Sequence, residues 1–365
     1  HTFCIDKRSD RRRCKRTKGH TMLRLTRRPH PLLAFLASGA RAASMAAPFF
    51  TTEGRLMRGA GADLTKQFVP VHKGMSLIQP AAGGGLEAAL VSEAAARPYV
   101  DGATETLIGT AEEGALGRRA AGGAFWLLDV SHLPEAPAPA ALGLDGATWQ
   151  PLRDRAGWSA CDRLEEEDEA SLLAIAAGLA KWHDKNQFCG VSGGRTVPEA
   201  RRQGRVRSCA ESGERLRPRV DPSVIMLVVD GDRCLLGRKA EWPAGRYSTL
   251  AGFVEFGESL EECLVREVYE EAGVRVKRDG LRFVASQPWL FPRSLMVGFI
   301  AQAEPGASEA AADAADDELQ DVGWFSRDQV RAFVESGDEE NAEFHVPSKV
   351  SLARVIIEEW IASGK

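Results

Sequence analysis

The 365-residue chain lacks the features of secreted, membrane-spanning or strongly basic proteins. Its seven cysteines are scattered along the chain, so they do not form a disulfide framework, and they favour a reducing compartment. No apolar run is long enough to cross a bilayer, so we predict no membrane partner. The net charge of −4 gives no electrostatic case for a general nucleic-acid binder. A hydrophobic content of 44% and this length are typical of a water-soluble protein with two or three domains.

Acidic residues are absent between Arg11 and Thr52, a region rich in arginine. From Met22 the run MLRLTRRPHPLLAFLASGARAAS is basic and apolar, which is typical of an organelle transit peptide. We therefore predict that residues 1–70 are a leader to a chloroplast or mitochondrion. A disordered basic tail on a cytoplasmic protein is the alternative. The C-terminal residues 363–365 are not the peroxisomal SKL signal, so they indicate no peroxisomal address.

The strongest local pattern lies in residues 252–274, GFVEFGESLEECLVREVYEEAGV. Ser259 followed by Glu262 is a capping box, which predicts the start of a helix. Gly273 is typical of the residue that ends a helix. Between them, apolar residues recur every four positions and predict one buried face: Leu260, Leu264, Val268 and Ala272.

Three glutamates, Glu267, Glu270 and Glu271, share another face of this predicted helix. Like charges at this spacing repel each other, so the cluster needs a cause. A solvated acidic face is one interpretation, and composition alone favours it. A site for a hard divalent cation is the other, because such a cation binds several carboxylate oxygens.

The same stretch resembles the Nudix box, G-x5-E-x7-R-E-U-x-E-E-x-G-U, in which U is apolar. All nine specified positions match: Gly252, Glu258, Arg266, Glu267, Val268, Glu270, Glu271, Gly273 and Val274. The resemblance implies hydrolysis of a nucleoside diphosphate linked to a further group. It also implies that Mg²⁺ or Mn²⁺ is held by the helix glutamates.

A second motif, SQPWLFPRSLM, occupies residues 286–296 between two predicted strands. Its prolines predict a short rigid loop, and the rings of Trp289 and Phe291 could stack on planar groups or pack over the core. The motif is similar to the SQPWPFPxS signature of the NADH pyrophosphatase family, a branch of the Nudix hydrolases. Leu290 stands where that family usually has a second proline. The resemblance extends from Ala124 to the C-terminus and is strongest from Pro218 on.

The family resemblance implies cleavage of NAD(H) at its pyrophosphate to nicotinamide mononucleotide and AMP, removal of NAD caps from RNA in some members, and a homodimer. The implied metal ligands are the Ala251 carbonyl, Glu267, Glu271 and Glu318. Glu271 or Glu270 would act as the catalytic base, and the sequence does not separate the two. The implied substrate-binding residues are Phe253, Gln287, Pro288, Trp289, Leu290, Phe291, Pro292, Arg293, Ser294 and Ala353. Arg217 replaces a tyrosine that the family commonly has, and its guanidinium could stack on a ring or contact phosphate.

Two short segments have the spacing of a four-cysteine zinc ribbon in which serine replaces the second ligand of each pair. They run from Cys189 to Ser192 and from Cys209 to Ser212. Structural zinc normally has four thiolate or imidazole ligands. We therefore predict less than one structural zinc per chain.

These features predict an α/β fold in four parts. A leader (1–70) precedes a smaller N-terminal α+β domain (71–185), a degraded zinc-ribbon segment (186–219) and a Nudix α/β/α sandwich (220–365). A hydrolase of ADP-ribose or another dinucleotide is one alternative function, and the motif at 286–296 favours NAD(H) over it. A non-catalytic nucleotide-binding module is the other, but a decayed enzyme would usually lose a glutamate first.

Overall fold

Two large β-sheets and one small sheet organise the part of the chain that the structure describes. The computed structural model describes residues 64–111, 123–152, 160, 163–164, 167–290, 293–307, 318–336 and 344–364. Most of the predicted leader, residues 1–63, lies outside them. No helix in the described ranges is both long and apolar enough to span a bilayer.

The first sheet has seven strands and forms the N-terminal part of the fold. They are β1 (Lys66–His72), β2 (Met75–Pro80), β3 (Leu86–Ala88), β4 (Val91–Ser92), β5 (Thr104–Ala111), β6 (Gly123–Asp129) and β7 (Thr148–Pro151). The order is β3-β2-β1-β6-β5, with β4 on β1 and β7 on β2. Among the described strands of this sheet, β1 and β6 pair in parallel and the other neighbours are antiparallel. Because β1 begins at Lys66, the folded part starts inside the segment 1–70 that we predicted as leader.

Two helices accompany this sheet, the short α1 (Glu93–Ala96) and the long α2 (Glu167–Lys185). The apolar side of α2 packs on the sheet, where Leu173 lies in one buried cluster with Val69 and Leu127. Alternate residues of each strand point to the same face, so β1 supplies both Val69 and Val71 to this cluster. The N-terminal part therefore has its own hydrophobic core.

A small three-stranded sheet follows α2, with the order β10-β9-β8. Its strands are β8 (Thr196–Pro198), β9 (Arg207–Cys209) and β10 (Arg215–Leu216). All pairings are antiparallel. This ribbon sheet covers the segment in which we predicted a degraded zinc site.

The third sheet has six strands and is mixed. They are β11 (Asp221–Asp230), β12 (Arg233–Arg238), β13 (Leu250–Phe253), β14 (Val276–Trp289), β15 (Ser294–Ala303) and β16 (Asp321–Ser326). The order is β14-β15-β11-β12-β16, with β13 on β11, and β11 pairs with β15 in parallel. Strands β11 and β12 form a hairpin in which Asp230 pairs with Arg233.

Helices cover both faces of this sheet: α3 (Leu260–Ala272) on one side, α4 (Arg327–Glu335) and α5 (Leu352–Ser363) on the other. Residues of β11 alternate between two cores because successive side chains of a strand point to opposite faces. Met226 is buried with Val268 of α3, whereas Leu227 is buried with Ile356 of α5. The result is a mixed α/β sandwich with β11 at its centre.

Candidate active site

Helix α3 is fixed at both ends by the sequence signals that predicted it. The hydroxyl of Ser259 accepts the N–H of Glu262 at 3.2 Å, and the Glu262 carboxylate accepts the N–H of Ser259 at 2.9 Å. Gly273 ends the helix in the left-handed region, with φ of 65°. Because Leu264 and Val268 are buried against the sheet, the rotation of the helix is set. The three glutamates therefore have defined surroundings.

Those surroundings differ in burial. Glu271 is only 3% exposed, whereas the side chains of Glu267 and Glu270 are 14% and 47% exposed. Burial raises the pKa of Glu267, and the negative charges of Glu270 and Glu318 act in the same direction, against the attraction of Arg266. Glu267 and Glu271 therefore lie on the buried side of the helix, and Glu270 lies towards solvent.

Arg266 connects this cluster. Its guanidinium donates two hydrogen bonds to Glu258, at 2.7 and 2.9 Å, one to Glu267 at 2.9 Å and one to Glu270 at 2.8 Å. A fifth goes to the carbonyl oxygen of Phe253 at 3.0 Å. The bonds from Arg266 lower the pKa of Glu258 to about 2. One rigid cation thus offsets the repulsion that the glutamate spacing creates.

Gly252 has a steric reason to be glycine. A Cβ at this position would lie 1.8 Å from the carboxyl carbon of Glu267. No side chain can occupy that space, so only glycine lets the carboxylate lie against strand β13. This close approach places Glu267 beside the backbone of Ala251, whose carbonyl we predicted as a metal ligand.

The predicted metal ligands offer only oxygen donors: three carboxylates, from Glu267, Glu271 and Glu318, and the Ala251 carbonyl. Such donors fit a hard divalent cation. Within the described residues, no group of three or more acidic, histidine or cysteine side chains converges on one point. Glu318 instead lies 3.4 Å from the ammonium of Lys239. The donor set suits Mg²⁺ or Mn²⁺, provided that Glu318 leaves Lys239 when the ion binds.

A cleft of about 260 Å³ opens beside this cluster. The cleft lies between the C-terminal end of α3, the second motif and the first turn of α5. Its lining includes Lys239, Trp242, Arg246, Ala251, Glu271, Trp289, Met296, Ser351, Leu352 and Ala353. Four predicted site residues, Ala251, Glu271, Trp289 and Ala353, therefore share one cleft.

Both ends of the second motif are strands rather than parts of the loop we predicted, with residues 286–289 in β14 and 294–296 in β15. Strand β14 extends to Trp289, which pairs with Ser294 at the start of β15. Pro288 is tolerated because β14 is the edge strand of the sheet. Alternation along β14 then sends Gln287 and Trp289 to one face and Pro288 to the other.

Gln287 lies behind the cleft wall and does not line it. Its side chain is completely buried. Its amide donates to the Val350 carbonyl at 2.8 Å and accepts the Leu352 N–H at 2.9 Å. Both bonds hold the backbone where α5 begins. Gln287 therefore supports the segment that carries Ala353 and is not among the residues that line this cleft.

The other predicted substrate contacts separate into several places. Pro288, Leu290 and Arg293 line a second cavity of about 560 Å³ between α2 and the segment at Pro218. Ser294 is buried and lines neither cavity. Phe291 and Pro292 lie outside the described residues. Phe253 is 57% exposed at the end of β13, and Arg217 is exposed as well.

Sequence reasoning missed two cations of the cleft, Lys239 and Arg246. Both lie between β12 and β13, where basic residues flank Trp242 and Pro243. The backbone of Arg246 meets His345 in an isolated β-bridge. That contact joins two distant parts of the chain, so local patterns do not reveal it.

The two half-complete cysteine pairs of the ribbon sheet lie together. The Cys189 sulfur is 3.2 Å from the Ser212 hydroxyl, and the Cys209 sulfur is 3.4 Å from the Ser192 hydroxyl. Hydrogen bonds, chiefly from Ser192, lower the pKa of Cys209 to about 6. Two thiols and two hydroxyls do not fit structural zinc, which requires four strong ligands.

Known proteins resemble part of this chain. The NUDIX domain family model matches residues 219–345. The NAD-capped RNA hydrolase NudC of Mycobacterium bovis is 43% identical over 204 residues, covering 55% of this chain and 63% of that protein. A protein of the same name from Pseudomonas aeruginosa is 38% identical over 221 residues, covering 60% and 70%. Human NAD(P)H pyrophosphatase NUDT13, mitochondrial, is 40% identical over 200 residues, covering 53% and 55%. The chain thus spans less than two thirds of the mycobacterial and human relatives.

Proposed function

Because this chain belongs to the NADH pyrophosphatase family of Nudix hydrolases, we propose that it hydrolyses the pyrophosphate of NAD(H) to nicotinamide mononucleotide and AMP. One observation carries the proposal: the box glutamate Glu271 and the motif residue Trp289 line the same cleft. We extend it to NAD caps on RNA, since two of the relatives are named for that activity.

The cleft has features that suit a pyrophosphate. Lys239 and Arg246 bring two cations to its lining, and the first turn of α5 forms part of its wall. A helix N-terminus favours bound negative charge because its N–H groups point outward. Gln287 holds the start of this helix from behind. Lys239, Arg246 and the N–H groups at the start of α5 would bind the phosphate oxygens and orient the bond to be broken.

We assign the proton-accepting role to Glu271 rather than Glu270. Glu271 is buried and lines the cleft, whereas the exposed Glu270 is paired with Arg266. The carboxylate of Glu271 would take a proton from the attacking water as the bond between phosphorus and the bridging oxygen breaks. Mg²⁺ or Mn²⁺, held by Ala251, Glu267, Glu271 and Glu318, would neutralise phosphate charge.

Specificity for NADH should depend on Trp289. A dinucleotide carries two rings, whereas ADP-ribose has one base, and stacking contributes about 1–3 kcal/mol per base. We expect kcat/KM for NADH to exceed that for ADP-ribose by about tenfold. Trp289→Ala should remove most of this preference and leave ADP-ribose turnover nearly unchanged, whereas Trp289→Phe should retain part of it.

The control is Phe283→Ala, which removes an exposed aromatic ring elsewhere on β14. It should leave the ratio of the two kcat/KM values as it is in the parent. If the parent hydrolyses ADP-ribose as well as NADH, or if Trp289→Ala slows both reactions equally, Trp289 is structural. The alternative of a general Nudix hydrolase of ADP-ribose or another dinucleotide then takes precedence.

We propose that the ribbon segment carries no structural zinc. Purified protein should contain clearly less than one zinc per chain by elemental analysis. His183 cannot complete the site, because its ring nitrogens lie 2.7 Å from Thr106 Oγ and 3.0 Å from Arg207 Nη1. The double variant Ser192→Cys with Ser212→Cys should raise the content to about one zinc per chain, as four thiolates suffice. Stoichiometric zinc in the parent would contradict the proposal.

We also propose an organelle address and a homodimer. The acid-free leader suits import, and one relative is named as mitochondrial. A fusion of residues 22–65 to a fluorescent protein should therefore enter a mitochondrion or chloroplast. A diffuse cytosolic signal would count against import. The mass in solution, from sedimentation equilibrium, would test the dimer.

A further inference from the structure

The ribbon segment contains two turns of matched backbone geometry, at 189–194 and 209–214. In each turn, the N–H of the cysteine donates a hydrogen bond to the carbonyl of the residue five positions later. The distance is 2.8 Å for Cys189 and 2.9 Å for Cys209. The glycine four residues on donates back to the cysteine carbonyl, at 2.9 Å from Gly193 and 3.0 Å from Gly213. Both glycines have positive φ, 75° and 74°, which few other residues adopt. The turns keep this geometry with only two thiols between them.

Hydrogen bonds between side chains connect the two turns. Each sulfur lies against the serine of the opposite turn, and both serines contribute hydrogen bonds to both cysteines. Each serine hydroxyl also accepts a backbone N–H, from Gly194 at 3.2 Å and from Glu214 at 3.1 Å. The hydroxyl hydrogen can then point to sulfur, where it stabilises a thiolate. The two sulfur atoms therefore belong to one small polar cluster.

This cluster lies just below the protein surface. Cys189 and Cys209 are buried, but the turn residues that cover them, 190–193 and 210–213, are all exposed. Cys234 and Cys263 differ, because they lie inside the two hydrophobic cores of the large mixed sheet. Burial raises the pKa of Cys263 to about 12. The described part of the chain thus contains one thiol pair in polar surroundings and two isolated thiols in apolar ones.

We propose that Cys189 and Cys209 form a redox pair that a hydroperoxide converts to an intramolecular disulfide. The Cys209 thiolate attacks the peroxide, the O–O bond breaks, and sulfenic acid and hydroxide result. The Cys189 thiolate then attacks the Cys209 sulfur, the S–O bond breaks, and a second hydroxide leaves. Two thiols are oxidised and one hydrogen peroxide is reduced to two waters, the two thiol protons neutralising the two hydroxides.

The disulfide would add a covalent link between the two turns. It would close a loop of about 20 residues, a length at which cross-links restrict the unfolded chain appreciably. The melting temperature should therefore rise by a few degrees on oxidation and return on reduction.

The test uses the full chain, reduced and then treated with hydrogen peroxide. Intact mass should fall by two hydrogens, and non-reducing peptide mapping should link the peptides of Cys189 and Cys209. During peroxide treatment, the fraction of Cys189 and Cys209 that still reacts with iodoacetamide should fall at least tenfold faster than the reactive fraction of Cys234 and Cys263. Dithiothreitol should reverse every change.

Matched variants complete the design. Cys189→Ser should leave Cys209 as sulfenic or sulfinic acid with no linked peptide, and Cys234→Ser should behave like the parent. The proposal is overturned if the linked peptide is absent from the oxidised parent, or if Cys263 reacts as fast as Cys209. Because mapping of the parent decides the matter, a variant that fails to fold does not obscure the answer.

Discussion

Glu271→Gln lowers kcat for NADH hydrolysis about a thousandfold, roughly 4 kcal/mol of transition-state stabilisation. The substitution keeps the shape of the side chain and removes its charge and its basicity. Glu271 is the buried box glutamate that lines the cleft, so no neighbouring carboxylate can replace it there. Steady-state kinetics at saturating Mg²⁺ measure the loss, and circular dichroism should show an unchanged fold.

Glu270→Gln is the matched control, because it makes the same chemical change one residue away. Glu270 is half-exposed and paired with Arg266, so we expect a loss of no more than about tenfold. Binding of Mn²⁺, followed by electron paramagnetic resonance, should weaken in Glu271→Gln and change little in Glu270→Gln. Activity of Glu271→Gln within a few fold of the parent would refute the assignment, and the opposite ranking would move the catalytic role to Glu270.

The second large effect is expected at Arg266. Arg266→Met removes the guanidinium hydrogen bonds and leaves Glu258, Glu267 and Glu270 without their shared cation. We expect the free energy of unfolding to fall by about 2–3 kcal/mol, because a partly buried charge cluster loses its partner. The hydrolysis rate should fall about a hundredfold, since small displacements of catalytic groups are costly.

Arg266→Lys separates charge from geometry. Lysine keeps the positive charge but cannot form the planar fork that binds Glu258 through two bonds. Its stability and activity should lie between those of the parent and Arg266→Met. Urea unfolding followed by circular dichroism gives the stability. If Arg266→Met matches the parent in both respects, the cluster does not depend on this residue.

The ion pair between Arg266 and Glu258 predicts how the free energy of unfolding depends on pH. Glu258 has a folded-state pKa of about 2, below its ordinary value of 4.5, because Arg266 donates hydrogen bonds to it. Its contribution is therefore complete above about pH 4.5 and is lost as the pH falls towards 2. The parent should lose unfolding free energy across this window. Arg266→Met should lose less, because its Glu258 carboxylate lacks that stabilisation.

Helix α3 shows what sequence could predict here. Its capping box, apolar repeat and terminal glycine are local signals, and each acts within a few residues of the place it controls. The three glutamates were placed on one helix face for the same reason. Their different burial was not predictable, because it depends on strand β13 and on residues far along the chain.

The second motif shows why the rest could not be predicted. Its prolines indicated a loop, yet Pro288 lies in an edge strand, where a missing N–H costs little. Whether a strand is at the edge depends on the order of the whole sheet, which no short motif encodes. The same alternation then sent Gln287 behind the cleft wall and Pro288 to another cavity. A motif can thus identify a family correctly while its residues have unlike roles.

Strand β14 has a practical consequence for anyone who wishes to isolate the catalytic half. Trp289 lines the cleft, but its neighbours Pro288 and Leu290 face helix α2 of the N-terminal part. Leu290 packs closely on Gly178 of that helix, because a Cβ added to Gly178 would lie 3.2 Å from the Cβ of Leu290. Residues 219–364 expressed alone would expose this apolar side to water and tend to aggregate. Loss of activity on truncation would then reflect poor solubility, and would say nothing about whether the N-terminal part takes part in catalysis.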